Sequence, residues 1–482
     1  MIDRRNPMKE RMNHFIINFS YTLVANIVSF LISVVIIAIV PKVLGVTEYG
    51  YFQLYCFYTS FVIFFHLGLP NGIYLRYGGK EYADIKKSIL TVQLWMMMLY
   101  SSFIASVGSI IIMLTMENEN KRYLLIMTCL CGLLVLPRDF ILLTLQATNR
   151  IKDYVKATII DRVVYIGIII IFLLFGDRKY SLLVKADLIG KAIALLWLIY
   201  LCKDMVIQKV SNLWEGILEA RRNLSAGSKI MASNIADMLI IGMIRIGIEK
   251  NWDIETFGKV SLTLSLSNLM MIVINAISLV IYPILRRAKG EVISKVYGIL
   301  RNILMIPLLG SLIVYYPMKE LFVLWLPRYA DSLTYIALLF PICIYESKMT
   351  MLVNTYLKNI RKEKWILIVN LIALFFSFIT SMISIFLLNN LTLTIISLVI
   401  ILAFRCIFAE ILLSRWIHIQ IRKDIILELL LCVVFMTTGW FLQSILSTLI
   451  YTACYLMYLF IKKNDMLVAI LEIKNVMKDI RN

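Results

Sequence analysis

Polar sequence is scarce in this chain. Only 16% of its 482 residues are charged and 61% are hydrophobic, with a mean hydropathy of +0.84; soluble domains are about a quarter charged and about half apolar. No polar stretch is long enough to fold outside a membrane, which excludes a receptor ectodomain or a soluble catalytic head. No glycine-rich phosphate loop of the GxxxxGK(S/T) form occurs, so the chain carries no motif for hydrolysing nucleotide. Eight cysteines stand singly in apolar runs, and the one close pair, Cys129 and Cys131, lacks the second pair that a zinc site needs. A disulfide framework, a metal site and a cofactor are therefore not expected. Acids are also short: 30 Asp plus Glu face 49 Lys plus Arg, a formal charge of +19.

What is present in quantity is apolar sequence long enough to span a bilayer, for which a helix needs about 20 residues. The hydropathy pattern predicts an all-α polytopic membrane protein of fourteen spans, near 15–40, 51–75, 88–115, 123–146, 155–175, 181–202, 223–248, 258–283, 296–316, 332–357, 365–388, 391–414, 425–442 and 445–461. The last two are short, so a twelve-helix core with a weaker C-terminal pair is the alternative. The first run lacks a small-residue cleavage site and is read as a retained span. Lys and Arg cluster at one set of helix ends: 31 fall there, 9 on the opposite side and 9 within spans. Positive loops stay cytoplasmic, which predicts a cell-membrane protein with both termini inside. The basic excess thus reflects topology, and no nucleic-acid partner is expected.

Two segments 208 positions apart share a pattern. Asn26 is followed by Gly50 in TEYG and then by the basic end YGGK; Asn234 is followed by Gly258 in ETFG and then by RRAK. A helix pair thus occurs twice, opening spans 1 and 7, and duplicated bundles are a common transporter plan. The expected organisation is a six-helix lobe at 1–202, a cytoplasmic linker at 203–222 with an amphipathic character around Trp214 and Leu218, a second lobe at 223–414, and two additional helices with a basic tail at 415–482.

The run from Asn18 through SYTLVANIVSFLISVVIIAIVPKVLGVTEYGYFQLY, with its aromatic-glycine piece Tyr49-Gly50-Tyr51-Phe52, and the counterpart ending YPILRRAKGE, resemble the Wzx-type polysaccharide and O-antigen flippases of the MATE-like (MOP) superfamily. The resemblance implies two six-helix lobes around a central cavity. It also implies transport of a polyprenyl-diphosphate-linked oligosaccharide from the cytoplasmic to the outer leaflet, with the lipid bilayer and the polysaccharide polymerase machinery as partners. It implies no enzymatic activity. The rival reading on the same fold is a MATE-type drug or cation antiporter.

Nine cations lie within the predicted spans: Arg138, Arg162, Lys185, Lys191, Lys229, Arg245, Arg301, Lys348 and Arg405. Mid-span acids are five: Asp139, Asp161, Asp187, Asp237 and Glu346. A charge facing lipid at mid-depth costs about 2.5–3.5 kcal/mol on insertion scales, so these groups are expected to face protein, water or headgroups. The count leaves a cationic surplus, which suits an anionic diphosphate better than an organic cation. Arg162, Arg301 and Arg405 lie toward cytoplasmic ends, where snorkelling to the interface is the plain alternative. Asp187 and Lys191, four apart, are placed to pair on one helix. Arg138 and Asp139 point about 100° apart, as do Asp161 and Arg162, so each is expected to pair with another helix. Asn234, Asp237 and Arg245 share one stripe of span 7, echoed by Asn26 in span 1 and by Asn268 and Asn275 in span 8. The expected substrate contacts are Asn26, Arg76, Arg138, Lys229, Asn234, Asp237, Arg245, Asn268 and Asn275, with Asp237 as the ion-coupling acid. His66 and the span prolines Pro70, Pro137, Pro307 and Pro341 are expected to act in packing and kinks.

The cation asymmetry generates the first test. A single cysteine in the 358–364 loop, on a cysteine-free background, should resist a membrane-impermeant thiol reagent in intact cells, and one in the 250–259 loop should react. The reverse pattern would overturn the orientation.

Overall fold

The computed structural model describes residues 7–210, 212–287, 292–442, 445–465 and 467; the side chains of 7–19, 270, 272–287, 292, 293 and 295 lie outside that description. Among the described residues there is no strand, and helices account for nearly all of the chain. Each of the fourteen apolar runs coincides with a helix or an interrupted helix. Ten are long and apolar enough to cross a membrane, and an eleventh results if the bent pair Val46–His66 and Leu69–Tyr77 is one span. Tyr180–Leu201 has the length of a span but carries Lys185, Asp187 and Lys191, and Ile445–Ile461 is apolar but only 17 residues long. Large side chains such as Leu114 and Leu174, both 81% exposed, lie bare on the outside. That surface is intelligible only with lipid as the solvent.

The chain divides into two compact units, residues 1–235 and 236–482. The first holds α1 (Pro7–Val43), α2 (Val46–Val62), α3 (Leu69–Tyr77), α4 (Lys87–Thr115), α5 (Glu119–Ala147), α6 (Ile151–Leu174), α7 (Tyr180–Leu201), the short α8 (Lys203–Val206) and the first part of α9 (Leu213–Asn251). The segment 203–222, expected as a linker, is thus α8 followed by the opening turns of a 39-residue helix, with Trp214 and Leu218 exposed on it. Side chains tie α8 to the start of α4 and the 3-10 turn Tyr82–Asp84 before it: Asp204 accepts from Tyr82 at 3.0 Å and pairs with Lys87 at 2.8 Å. Partial burial works against the Asp204 carboxylate, but the bonds from Lys87 and Tyr82 outweigh it and hold its pKa below the ordinary value.

Between α2 and α3 the chain bends by 58°. A 3-10 turn, Ile63–His66, leads into Leu67 and Gly68, both with positive φ, and Pro70 then opens α3. Pro70 is tolerated there because a first-turn residue has no intrahelical N–H bond to lose. His66 Nδ1 accepts the Gly68 N–H at 2.9 Å and closes the break. Downstream, the GLPNG sequence sets Gly68 and Gly72 one turn apart against Asn223 and Gly227 of α9. A Cβ on Gly72 would overlap the Asn223 carbonyl, and one on Gly227 would overlap that of Gly68. The two backbones meet directly, as small residues permit in membrane helices.

The second unit holds the rest of α9, then α10 (Ile254–Arg287), α11 (Val292–Ser311), α12 (Tyr315–Trp325), α13 (Ala330–Leu333), α14 (Ile336–Leu339), α15 (Ile342–Ser347), α16 (Asn354–Asn359), α17 (Glu363–Ser381), α18 (Leu391–Ile417), α19 (Arg422–Thr437) and α20 (Ile445–Ile461). The 317–331 stretch, between two of the predicted spans, is largely helical, in α12 and the start of α13. The span Ile336–Asn359 is broken near Pro341 and widened into a π-helix at Lys348–Val353, and 89% of its apolar window is buried, against 17–56% for the other spans. Among the described residues it is the span most enclosed by protein. The last two helices also pack into this unit: Tyr451 is fully buried and its hydroxyl donates to the Leu309 carbonyl at 2.8 Å.

The repeat is visible in the helix ends. α1 ends at Val43 and α9 at Asn251, α2 begins at Val46 and α10 at Ile254, so both boundaries recur after 208 residues. The TEYG and ETFG pieces form first helical turns, each burying an aromatic and the following glycine, Tyr49-Gly50 and Phe257-Gly258.

The glycine seam yields a test. Gly72→Ala should destabilise the purified protein by about 1–3 kcal/mol, the usual cost of overpacking, and lower its thermal midpoint in detergent. Gly167→Ala, where an added Cβ meets nothing within 4 Å, should not. Equal midpoints for the two variants would show that α3 and α9 do not touch as described.

Candidate functional site

In the first unit the intramembrane charges form discrete pairs. Arg138 of α5 meets Asp161 of α6 at 2.8 Å, with both side chains nearly buried; helix geometry turns each away from its sequence neighbour, so the partner is on another helix. Asp187 and Lys191 pair along α7, and Tyr55 donates to Asp187 at 2.7 Å. His66 Nε2 lies 3.5 Å from Asp139. Because Nδ1 is already an acceptor for Gly68, a neutral His66 carries its proton on Nε2, toward that carboxylate.

In the second unit the charges are shared. Arg301 of α11, 1% exposed, meets Glu410 of α18 at 2.8 Å, Glu428 of α19 at 2.7 Å and Asp424 at 3.1 Å. Lys348 of the enclosed span meets Glu410 at 2.5 Å and Glu428 at 2.7 Å, and Tyr297 donates to Glu410 at 2.9 Å. Lys462 extends the cluster by pairing with Asp424 at 2.5 Å. Arg301 therefore does not snorkel to the interface.

Arg405 does not snorkel either. It is 2% exposed, donates to Asn370 at 3.0 Å and to Glu346 at 2.9 Å, and forms an ion pair with Asp237. Two carboxylates thus share one guanidinium, a formal excess of one negative charge. The Asp237 side chain is 44% exposed although one of its oxygens is buried. Arg405 fixes the position of this carboxylate, while part of it is left uncovered by the described residues.

Of the expected substrate residues, Lys229, Asn234 and Asn268 are exposed and Asn26 is half-buried. The Asn275 side chain lies outside the described residues. Arg245 packs on α10, donating to the Ser261 hydroxyl at 3.0 Å with its guanidinium 5.2 Å from the Phe257 ring centre. Eight residues separate Asp237 from Arg245, about 12 Å along the helix axis, so they do not act on one atom. Arg76 is held by α9 through Asn223 at 2.6 Å and Glu219 at 2.7 Å, and Asn223 also donates to Gln93 at 2.9 Å. Arg138 is occupied by Asp161.

The cationic surplus shrinks once partners are counted in space. Glu410 and Glu428, which the sequence reading left out of the acids, neutralise Arg301 and Lys348. Glu410 has apolar neighbours on both sides, Phe408-Ala409 and Ile411-Leu412-Leu413, and that was the available signal. Arg162, Lys185 and Lys229 remain exposed.

These features define an all-helical, duplicated, polytopic membrane fold with ion pairs buried in each unit. No protein-family model and no curated relative matches the chain. Solved structures do. An inward-facing multidrug-resistance MATE family transporter of the MOP superfamily aligns over 84% of this chain and 98% of its own at 13% identity, with a TM-score of 0.59. A MATE protein in complex with MaD3S aligns over 86% and 97% at 13%, TM-score 0.55. A MOP superfamily transporter from Pyrococcus furiosus aligns over 84% and 95% at 12%, TM-score 0.51. At such identities the likeness is one of fold: this chain has the fold of MATE-like transporters.

The buried cluster is tested by unbalancing it. Lys348→Met should cost about 3–5 kcal/mol by leaving Glu410 and Glu428 short of a cation. Adding Glu428→Leu should recover much of the lost thermal stability. A single variant as stable as the parent would remove the cluster from the fold's essential contacts.

Proposed function

We propose that this protein is a flippase that carries a polyprenyl-diphosphate-linked oligosaccharide from the cytoplasmic to the outer leaflet of the cell membrane, with both termini in the cytoplasm. One observation carries the reading. Six of the seven in-span carboxylates, Asp161, Asp187, Asp237, Glu346, Glu410 and Glu428, pair with Arg or Lys, with Asp237 and Glu346 sharing Arg405, whereas the cations Arg162, Lys185 and Lys229 are exposed. An organic cation needs an unneutralised acid, while a diphosphate needs accessible cations. Lys229 and Arg245 attract the diphosphate in this reading, and Asn26, Asn234 and Asn268 meet sugar hydroxyls. The lipid tail stays in the bilayer, so the protein shelters only the sugar and the diphosphate. Polysaccharide polymerase machinery receives the product.

Asp237 is the coupling acid in the same proposal. With no nucleotide motif in the chain, transport draws on an ion gradient, the membrane potential or removal of product. The second carboxylate beside Arg405 leaves a charge that a proton or cation neutralises. The same half-exposed Asp237 is the feature that favours the alternative, a MATE-type drug or cation antiporter.

Deletion of the gene separates the two. Accumulation of completed lipid-linked repeat units with loss of surface polysaccharide is the expected outcome; intact polysaccharide with raised sensitivity to cationic drugs would establish the antiporter instead. In a complemented strain, Arg245→Ala should abolish export at unchanged expression, and Arg245→Lys should retain part of it, since Lys keeps the charge but loses the planar fork. In proteoliposomes, Asp237→Asn should remove dependence on an imposed proton or sodium gradient. Normal export by Arg245→Ala, or gradient-independent flipping unchanged in Asp237→Asn, would sink those assignments.

A further inference from the structure

Of the seven in-span carboxylates, Asp139 of α5 is the one that, among the described residues, pairs with neither Arg nor Lys. Its sequence neighbour Arg138 is turned to Asp161 on α6 at 2.8 Å. One oxygen of Asp139, Oδ2, is buried and makes no hydrogen bond among the described residues; the group that faces it is His66 Nε2, 3.5 Å away. Tyr154 of α6 stands near Asp139, and Tyr74 of α3 near Tyr154. Among the described residues α2, α4 and α7 bring no further charge to this carboxylate. A buried carboxylate without a counter-charge is costly, and a proton removes that cost.

The chemistry of the pair selects the ligand. A neutral imidazole has one donor and one acceptor nitrogen. His66 Nδ1 spends its lone pair on the Gly68 N–H at 2.9 Å, so Nε2 carries the hydrogen and offers no lone pair toward Asp139. A metal cation takes several oxygen or nitrogen ligands. Here one carboxylate is on offer, and among the described residues no group of three His, Cys, Asp or Glu side chains is placed to hold a metal ion. A proton needs a single lone pair. It goes to the carboxylate, because protonating Nδ1 breaks the bond to Gly68. The Asp139 side chain is 19% exposed, against 3% for His66, which leaves part of the acid open to proton exchange.

The Gly68 bond closes a strained corner. Leu67 and Gly68 have φ of 55° and 88°, α2 and α3 are bent by 58° there, and Gly68 lies against the backbone of Gly227 in α9. An ionised Asp139 attracts the Nε2–H, and with it stabilises the tautomer that accepts from Gly68; a neutral Asp139 does so less. We infer that Asp139 is a proton-binding site and that His66, as a positioning residue, passes its charge state to the bend between α2 and α3. The bend is firm when Asp139 is ionised and loose when it is protonated. The site is separate from Asp237 and does not depend on what the protein carries.

The test uses the full-length protein in mild detergent. Infrared difference spectra between mildly alkaline and mildly acidic pH should contain the C=O band of a protonated carboxyl that shifts when the aspartates carry carbon-13 and is lost in Asp139→Asn. With nitrogen-15 histidine, the His66 resonances, assigned by their loss in His66→Gln, should stay those of a neutral ring protonated on Nε2 through the same titration. Asp139→Asn, which imitates the protonated acid, should speed hydrogen exchange of the Gly68 amide roughly 3- to 10-fold at one mildly alkaline pH, the range of a single hydrogen bond. Amides of the second unit should be unchanged. A carboxyl band unaffected by Asp139→Asn or lost only in Asp237→Asn, a His66 ring that takes up the proton itself, or unchanged exchange at Gly68 would overturn the assignment. The labelled parent needs no substitution, so the absence of any shifted aspartate band overturns it even if Asp139→Asn fails to fold.

Discussion

A bilayer core offers a buried charge no water, and the arrangement of ionic side chains in this protein follows from that single constraint. An unpaired carboxylate or guanidinium inside hydrocarbon or packed protein costs several kcal/mol even after relaxation, so each is met by a counter-charge or a strong donor. Glu410 is fully buried because Arg301, Lys348 and Tyr297 all reach it. The Ile336–Asn359 span carries Glu346 and Lys348 because protein encloses it on nearly every side. The same requirement draws α19 and α20 into the second unit, since Glu428, Asp424 and Lys462 complete a cluster begun on α11.

The helix ends that open the two units recur 208 residues apart, and what lies between them differs. The first helix pair of each unit breaks at matching positions, with an aromatic and a glycine buried at the start of the second helix. Beyond that point α2 and α3 are separated by a bend stabilised by left-handed Leu67 and Gly68, whereas α10 runs unbroken to Arg287. The first unit neutralises its charges as separate pairs, and the second pools them. A pooled network fixes several helices against one another at once. It also makes each member's loss felt by all the others.

Fold alone does not assign cargo, and transporters of one architecture differ in the polarity of what they enclose. One of the structural neighbours is itself described as having a binding pocket of reversed polarity that suggests a different function. Here the distinguishing features are local: in-span acids mostly paired with Arg or Lys, the exposed cations Arg162, Lys185 and Lys229, and one guanidinium shared by Asp237 and Glu346.

The sequence by itself determined where the apolar helices lie, because hydropathy is a property of contiguous residues; among the described residues ten of them, or eleven with the bent pair, are long and apolar enough to cross a membrane. It also determined the 208-residue repeat, which the helix ends reproduce. The pairing of Arg138 away from Asp139, and of Asp187 with Lys191, followed from helical periodicity alone. The partners of Arg301 and Arg405 did not. Position along a helix says how deep a residue sits, and depth suggested snorkelling, but a helix apolar on every side gives no sign of which face meets protein. Glu410 lies 109 residues from Arg301 in sequence and 2.8 Å from it in space. Only the tertiary structure brings such groups together, because the energy that pairs them depends on distance and exclusion of water, neither of which is written in local sequence.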